Sequence, residues 1–207
     1  MDIDIKFNNL LNKNKYLTIV DNNEIINGPK KYVIQYKYYI NIYINLLKEL
    51  INSNIHNEHI LDFGCGPAFS VYVGRNNYNL NIKGLDIHTG SGAQDFIYKD
   101  IHKVLDIENY IDYYDGNNIN NYEENSFSII LCIWSLLFDY SNDFGKNNYI
   151  YPESNEGKIL LIKKFKNLLL ISKPNCKWII SPKKFWTNSI SNLFNKYNNK
   201  NIIIKLI

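Results

Sequence analysis

Apolar and polar positions along the chain predict a succession of strands and helices. Short apolar runs are typical of strands that are covered on both faces, and they occur at 60–63, 81–87, 96–98, 127–133, 177–181 and 201–207. Between them, apolar residues recur three or four positions apart, which predicts helices at 30–52, 67–75, 104–113, 158–172 and 187–197. Because strands that alternate with helices form parallel sheets with right-handed crossovers, we expect an α/β fold.

A glycine-rich segment stands between the first two predicted strands. Residues 59–68 read HILDFGCGPA, and GLDI follows at 84–87. The order is a buried strand, a turn that opens a helix, and a second strand that ends in a carboxylate. This layout builds a nucleotide pocket at the carboxyl edge of a parallel sheet. A dinucleotide-binding fingerprint would require glycine where the chain has Phe69, which disfavours a nicotinamide-dependent reductase.

The glycine pattern Gly64-x-Gly66-x-Ala68 resembles motif I of the class I S-adenosylmethionine (SAM)-dependent methyltransferases, with Ala68 in place of the usual third glycine. The resemblance covers about residues 55–182. It implies a three-layer α-β-α Rossmann-like fold, SAM as the cofactor, and methyl transfer to an acceptor that the motifs do not identify.

The same resemblance sets an expectation for the whole chain. We expect a mostly parallel sheet of about six strands that is shortened at the carboxyl terminus, since only 26 residues follow Ser181. Residues 1–54 are predicted to form a helical cap, and residues 55–207 the SAM-binding domain.

The resemblance also assigns cofactor contacts. Asp62 matches the acid that opens motif I and orients the amino group of SAM, and Asp86 matches the acid that accepts hydrogen bonds from both ribose hydroxyls. Asp100, followed by Ile101, resembles the third motif, which meets adenine, although an Asp that caps a helix is an alternative there. The expected cofactor contacts are Asp62, Phe63, Gly64, Cys65, Gly66, Asp86, Ile87, Asp100, Ile101 and Cys132.

The acceptor site is expected over the same edge of the sheet. Trp134, Tyr36 and Tyr149 are predicted to line it, although each aromatic ring also fits ordinary core packing. His88 and His102 follow the second and third predicted strands and are the candidates for a catalytic base. A base is optional when the acceptor is already nucleophilic, and surface histidines without a role are the alternative.

Several signatures of nucleic-acid methylation are absent from the sequence. No Asn-Pro-Pro-Tyr or Asp-Pro-Pro-Tyr tetrapeptide follows the fourth predicted strand, and no Pro-Cys dipeptide occurs. Ser128 stands in the fourth motif, where many relatives carry Asp. A small molecule or a protein is therefore favoured as the acceptor, and a catalytically inactive, methyltransferase-like subunit is an alternative.

Charge is distributed unevenly along the chain. The net charge is +3, but residues 157–207 contain eleven lysines and no acidic residue, which leaves the first 156 residues at −8. Such asymmetry is found in proteins that bind polyanions, so an RNA-directed methyltransferase is a second alternative. Lysines that cover solvated helix faces explain the same pattern without a partner.

The remaining composition bears on compartment and partners. Cys65, Cys132 and Cys176 are far apart, which disfavours disulfides and a metal site and favours a reducing, cytoplasmic location. No apolar run reaches the length of a membrane span. The apolar segment 202–204 would form an exposed sheet edge, at which we expect a homo- or heterodimer.

Overall fold

The core of the molecule is one parallel sheet. The structure is a computed structural model, which describes residues 2–12, 30–51, 57–87, 93–114, 119, 122–137, 139–140 and 149–207. Its strands are β1 (His59–Phe63), β2 (Asn81–Ile87), β3 (Ile111–Tyr114), β4 (Phe127–Ile133), β5 (Asp139–Tyr140), β6 (Tyr149–Ile150), β7 (Ser172–Ser181) and β8 (Ile203–Leu206). Six of them form a sheet in the order β3-β2-β1-β4-β7-β8 with every pair parallel, while β5 and β6 form a separate antiparallel pair.

Helices cover both faces of this sheet. They are α1 (Ile3–Leu11), α2 (Lys30–Ile34), α3 (Tyr36–Ile51), α4 (Phe69–Tyr78), α5 (Ala93–Leu105), α6 (Asn155–Ile171) and α7 (Asn188–Tyr197). The helices α1 to α5 contribute to one buried cluster, and α6 and α7 contribute to the other. The fold is therefore the three-layer, Rossmann-like α/β arrangement of about six strands that the sequence predicts.

Side chains alternate between the two layers along each central strand. In β1, Ile60 lies in the cluster beneath α4, whereas Leu61 and Phe63 lie in the cluster beneath α6 and α7. This alternation follows from the two-residue period of a strand. It places Asp62 on the α4 face and Cys132 of β4 on the opposite face.

The predicted strand at 96–98 and the predicted helix at 104–113 are both wrong. The structure has the helix α5 over 93–105 and the short strand β3 over 111–114. Ile97, Ile101 and Leu105 recur every fourth residue and are all buried, which is a helical period. Three consecutive aromatic or apolar residues at 96–98 imitate a strand when they are taken alone.

The N-terminal helices share their core with the sheet. Phe7 of α1 and Leu47 of α3 are completely buried in the same cluster as Ile60 and Ile82. The division into a cap of residues 1–54 and a domain of residues 55–207 remains a prediction. No helix in the described part of the chain is long and apolar enough to cross a membrane.

An aromatic cluster closes the opposite layer. The Phe165 ring of α6 is fully buried and lies 5.2 Å from the Phe194 ring and 6.2 Å from the Trp178 ring. The buried Trp178 Nε1 donates to Ser172 Oγ at 3.0 Å, so the indole is satisfied without water. This cluster connects α6 and α7 to β7.

We predict that Phe165→Ala lowers the free energy of unfolding by about 3–5 kcal/mol, because it leaves a large cavity in a packed cluster. Ile159→Ala is the matched control, since Ile159 lies on the same helix and is 67% exposed. Urea unfolding of both variants gives the comparison. Equal loss of stability in the two variants would show that the cluster is not a core.

Candidate functional site

The turn after β1 is held against β2 by the backbone. Gly64 and Gly66 have φ values of +71° and +51°, a region that glycine adopts without steric cost. The N–H groups of Gly64 and Cys65 both donate to Leu85 O, at 2.7 and 3.2 Å. Ala68 also has a positive φ, +56°, which costs an L-residue about 1–2 kcal/mol. The turn therefore keeps its left-handed shape through its bonds to the neighbouring strand.

Asp86 lies beside this turn. The register of β1 on β2 pairs Asp62 with Gly84 and Phe63 with Leu85, so Asp86 follows next to Gly64 at the carboxyl edge of the sheet. The negative charge of Asp86 contributes to raising the pKa of both Asp62 and Cys65, as expected for groups in one neighbourhood. The structure thus brings together the glycine turn and the Asp86 carboxylate, the two features on which the sequence argument depends.

Asp62 is directed into the helix layer. Its carboxylate is 1% exposed and accepts a hydrogen bond from the Ser70 hydroxyl near the start of α4. Burial raises the pKa of Asp62 to about 7, and the Ser70 bond only partly offsets this. Near neutral pH this carboxyl is therefore divided between its charged and protonated forms.

The turn after β4 packs closely against Gly64. A Cβ added to Gly64 would lie 2.4 Å from Ser135 Cβ, so only glycine fits there. Ser135 Oγ is buried and has no hydrogen-bond partner among the described residues. A buried hydroxyl without a partner costs about 1–3 kcal/mol. A ligand with a polar atom at this point would remove that cost.

A tyrosine covers the second glycine. A Cβ on Gly66 would lie 3.6 Å from the Tyr98 ring, which is ordinary van der Waals contact. Tyr98 of α5 is in edge contact with Tyr32 of α2, with 5.8 Å between the ring centroids. Burial raises the pKa of the Tyr98 hydroxyl well above its usual value. One side of the turn is therefore lined by a neutral phenol.

His102 joins the turn to the third strand. Its imidazole is 1% exposed, with Nε2 2.8 Å from Gly66 O and Nδ1 3.1 Å from the Tyr113 hydroxyl. Burial lowers the pKa of His102 to about 4, so the ring is neutral at pH 7. Both nitrogens are engaged, which makes His102 unsuitable as the catalytic base that its sequence position suggests.

Asp100 and Ile101 do not follow a strand, as the third-motif interpretation requires. Both lie inside α5, and Ile101 is completely buried in the core. The strand that reaches the carboxyl edge beside Asp86 is β3, in which Tyr113 is the register partner of Asp86. In the structure its end residues Ile111 and Tyr114 are buried, and the two residues between them are partly buried.

The structure separates the other predicted site residues. Cys132 is completely buried among the residues beneath α6 and α7, so its thiol does not face the carboxyl edge. Phe63 is also buried on that face, and only its backbone borders the turn. His88 and the side chains of Ile87 and Tyr149 lie outside the described residues.

The predicted acceptor-site aromatics differ in exposure. Trp134 is 59% exposed at the end of β4, with φ of +58° and its N–H donating to Ser181 O at 3.1 Å. Tyr36 is only 8% exposed, because its ring stacks 4.0 Å from Phe7 and its hydroxyl donates to Asp4. Tyr36 is therefore part of the contact between α1 and α3, and not of an open pocket.

Lys164 is a site neighbour that the sequence argument missed. Its Nζ donates to the backbone carbonyls of Ser135 and Leu136, at 3.1 and 3.4 Å, and so holds the turn after β4. The available signal is a lysine beside Leu161 and Phe165 on the inward face of α6. Among the described residues, no group of His, Cys, Asp and Glu is placed to hold a metal ion.

Solved structures resemble this fold at low identity. They include a putative sarcosine dimethylglycine methyltransferase from Galdieria sulphuraria (13% identity, TM-score 0.41, 71% of this chain and 46% of that one). Others are a SAM-dependent methyltransferase from Archaeoglobus fulgidus (11%, 0.41, 70% and 54%) and the [4+2]-cyclase SpnF (21%, 0.37, 57% and 36%). The match thus covers less than two thirds of each of those chains.

No protein-family model and no curated protein sequence matches the chain. A shared fold does not determine chemistry. The function has to be argued from the site itself.

We predict that Gly64→Ala destabilises the protein by about 2–4 kcal/mol, because a methyl group would overlap Ser135 in a backbone region that L-residues avoid. Gly66→Ala should cost only about 1 kcal/mol, since it adds backbone strain without a clash. Chemical denaturation of the two variants measures the difference. A Gly66→Ala variant that loses as much stability as Gly64→Ala would contradict the geometry of the turn.

We predict that Asp62→Asn becomes progressively more stable than the wild type as the pH rises from about 4 to 7. The pKa of the folded protein is about 7 against a usual 3.8, so the folded state binds more protons in this window. Wild-type stability from this group is therefore present below pH 4 and lost towards pH 7, by up to about 4 kcal/mol. Urea unfolding across this pH range measures the difference.

His102 provides the control of opposite sign. Its pKa in the folded protein is about 4 against a usual 6.5, so its contribution is present above pH 6.5 and lost as the pH falls to 4. Relative to the wild type, the stability of His102→Gln should hence fall as the pH rises, whereas that of Asp62→Asn should rise. If the stabilities of the two variants relative to the wild type changed with pH in the same direction, the prediction would be wrong.

Proposed function

We propose that the carboxyl edge of the sheet binds SAM and that the protein is a SAM-dependent methyltransferase. The observation that supports this most directly is the register of β1 on β2, which sets the Asp86 carboxylate beside the left-handed turn at Gly64–Gly66. This arrangement supports the interpretation of the motif that resembles the methyltransferase family as a binding site.

The groups at this edge suit a nucleoside with a sulfonium side chain. A carboxylate at Asp86 accepts two donors at once, which matches the vicinal hydroxyls of a ribose. The two glycines allow the left-handed turn, and Ser135 and Tyr98 lie where their side chains would be, so both residues border the proposed site. The buried Ser135 hydroxyl offers a polar partner at the same place.

SAM, when bound, supplies an activated methyl group for in-line displacement by a nucleophile. The chain's own residues bind, orient and shield the reactants, and such positioning accounts for much of the acceleration. Of the two candidate bases, His102 has both ring nitrogens engaged, and His88 lies outside the described residues. We therefore propose an acceptor that is nucleophilic without proton removal by the protein.

The acceptor is proposed to enter on the side of β4. Trp134 is exposed there, next to the Ser135–Leu136 turn that Lys164 holds in place. A bulky residue with positive φ is uncommon and is concentrated at functional positions. A small molecule or a protein side chain is favoured over RNA.

Three of the eleven lysines at 157–207 are engaged in contacts within the protein. Lys200 Nζ bonds Ser172 O at 3.1 Å, at the end of β7 opposite to the glycine turn, and Lys205 pairs with Glu49 at 3.2 Å. Lys164 is occupied by backbone carbonyls within the fold. RNA binding through these residues remains a proposal that a salt titration of affinity tests.

An inactive subunit is the second candidate. The Tyr98 ring lies against Gly66, and the fourth strand carries Ser128 with a buried Oγ that has no partner among the described residues. In this case the protein would bind SAM weakly or not at all and would transfer no methyl group. Labelled SAM, offered with cell extract fractionated into RNA, protein and small molecules, separates this candidate from the enzyme.

We predict that the wild type binds SAM in isothermal titration calorimetry and shows no heat with NAD. Asp86→Asn should weaken SAM binding by roughly 10- to 100-fold, because hydrogen bonds to a charged group are worth about 1–3 kcal/mol. The control is Asp112→Asn on the neighbouring strand, whose carboxylate accepts from Tyr122 at 2.8 Å. Undiminished SAM binding by Asp86→Asn would overturn the proposed ribose contact.

A further inference from the structure

The imidazole of His102 spans the two parts of the proposed cofactor site. Its Nε2 lies 2.8 Å from Gly66 O in the glycine turn, and its Nδ1 lies 3.1 Å from the hydroxyl of Tyr113 in β3. Tyr113 is the register partner of Asp86. A chain of two hydrogen bonds therefore connects the turn to the strand next to the ribose-binding carboxylate.

The direction of both hydrogen bonds follows from the groups involved. A carbonyl oxygen only accepts, so Nε2 must carry the proton and donate to Gly66. In a neutral ring Nδ1 then accepts, and the Tyr113 hydroxyl donates to it. The Gly66 carbonyl and the Tyr113 hydroxyl thus favour the same tautomer, the one that holds the turn.

The Gly66 carbonyl depends on this contact more than an ordinary carbonyl does. The following residue is Pro67, so the Gly66–Pro67 peptide has no N–H and its carbonyl is its sole hydrogen-bonding group. Rotating this peptide would change the ψ of Gly66, a torsion that glycine restricts little because it has no Cβ. The imidazole therefore fixes the orientation of the peptide that forms the floor of the turn.

We propose that His102 is a positioning residue for the cofactor, held by Tyr113 in the Nε2–H tautomer so that the turn at Gly66 and the carboxylate of Asp86 keep the spacing a nucleoside needs. This inference rests on the proposed function, and it adds the residue pair that sets the shape of that site. His102 and Tyr113 act through Gly66 and β3 without touching the reacting atoms.

The first test measures affinity for S-adenosylhomocysteine, the demethylated form of SAM, by calorimetry. Tyr113→Phe should weaken binding about 5- to 10-fold and His102→Phe about 10- to 100-fold, whereas His102→Gln, which keeps a donor and an acceptor, should lie closer to the wild type. Matched controls are Tyr110→Phe, at a ring that stacks on Arg75, and His59→Phe, at the exposed opposite end of β1.

The second test reads the tautomer without any ligand. In nitrogen-15 NMR spectra the wild-type His102 ring should show the neutral Nε2–H form at pH 7. In Tyr113→Phe the Nδ1 signal should move towards that of an imidazole nitrogen that accepts no hydrogen bond, because only the Gly66 carbonyl then holds the Nε2–H tautomer. Tyr110→Phe should leave the His102 signals unchanged.

The third test is chemical rescue. A cavity of about 210 Å³ lined by Lys99, His102, Lys103, Glu108 and Tyr113 adjoins the ring and gives small molecules a route to it. For His102→Ala, added imidazole should restore S-adenosylhomocysteine binding. The analogue 1-methylimidazole, which has an acceptor nitrogen but no N–H, should not.

The outcomes separate this inference from the proposed function. Failure of the wild type to bind SAM or S-adenosylhomocysteine overturns the proposed function and, with it, the cofactor role of His102. Wild-type binding together with unchanged affinity in folded Tyr113→Phe and His102→Phe overturns the positioning role alone. If His102→Phe fails to fold, Tyr113→Phe decides through its affinity and its Nδ1 signal, and unaltered affinity together with an unaltered Nδ1 signal contradicts the inference.

Discussion

The pairing of β1 with β2 is the constraint on which the candidate site depends. Two N–H groups of the turn, from Gly64 and Cys65, share the single carbonyl of Leu85, and this bond network fixes where Asp86 stands. A shift of one residue in the register would turn every side chain of the strand to the opposite layer. Asp62 would then leave Ser70, and Asp86 would no longer flank the turn.

Close packing adds a second constraint to the same edge. Gly84 of β2 leaves room for Cys65, because a Cβ there would lie 2.7 Å from the Cys65 sulfur. Gly64 leaves room for Ser135 in the same way. The strands β1, β2 and β4 can therefore converge closely at their carboxyl ends, and the ends of all three contribute to one small site.

Much of the fold was accessible from the sequence because it depends on local patterns. The strands β1, β2 and β4 are apolar runs with clear limits, and β2 has the predicted bounds 81–87. The error at 96–98 arose because a buried helix with a four-residue period contains a short apolar run. Sequence spacing alone does not distinguish the two until the flanking residues at 101 and 105 are included.

The candidate site was accessible only in part, for a different reason. Motif residues that adjoin one turn, such as Gly64 and Gly66, are close in sequence and could be named in advance. His102 contacts a carbonyl 36 residues away, and Lys164 contacts one 29 residues away. These contacts depend on how α5 and α6 pack on the sheet. The spacing of residues within one segment does not predict that packing.

The carboxyl edge of the sheet has two parts that differ in their side chains, and this difference explains why a cofactor is easier to propose than an acceptor. The ends of β1, β2 and β3 carry a backbone turn, a carboxylate and the His102–Tyr113 pair, all fixed by hydrogen bonds. The ends of β4 and β7 carry Trp134, whose indole is mostly exposed. Fixed polar groups specify a ligand by their geometry, whereas one exposed ring is compatible with many flat or apolar groups. The ends of β1, β2 and β3 therefore limit which ligand fits there. At the ends of β4 and β7, the choice of substrate depends on residues beyond this edge.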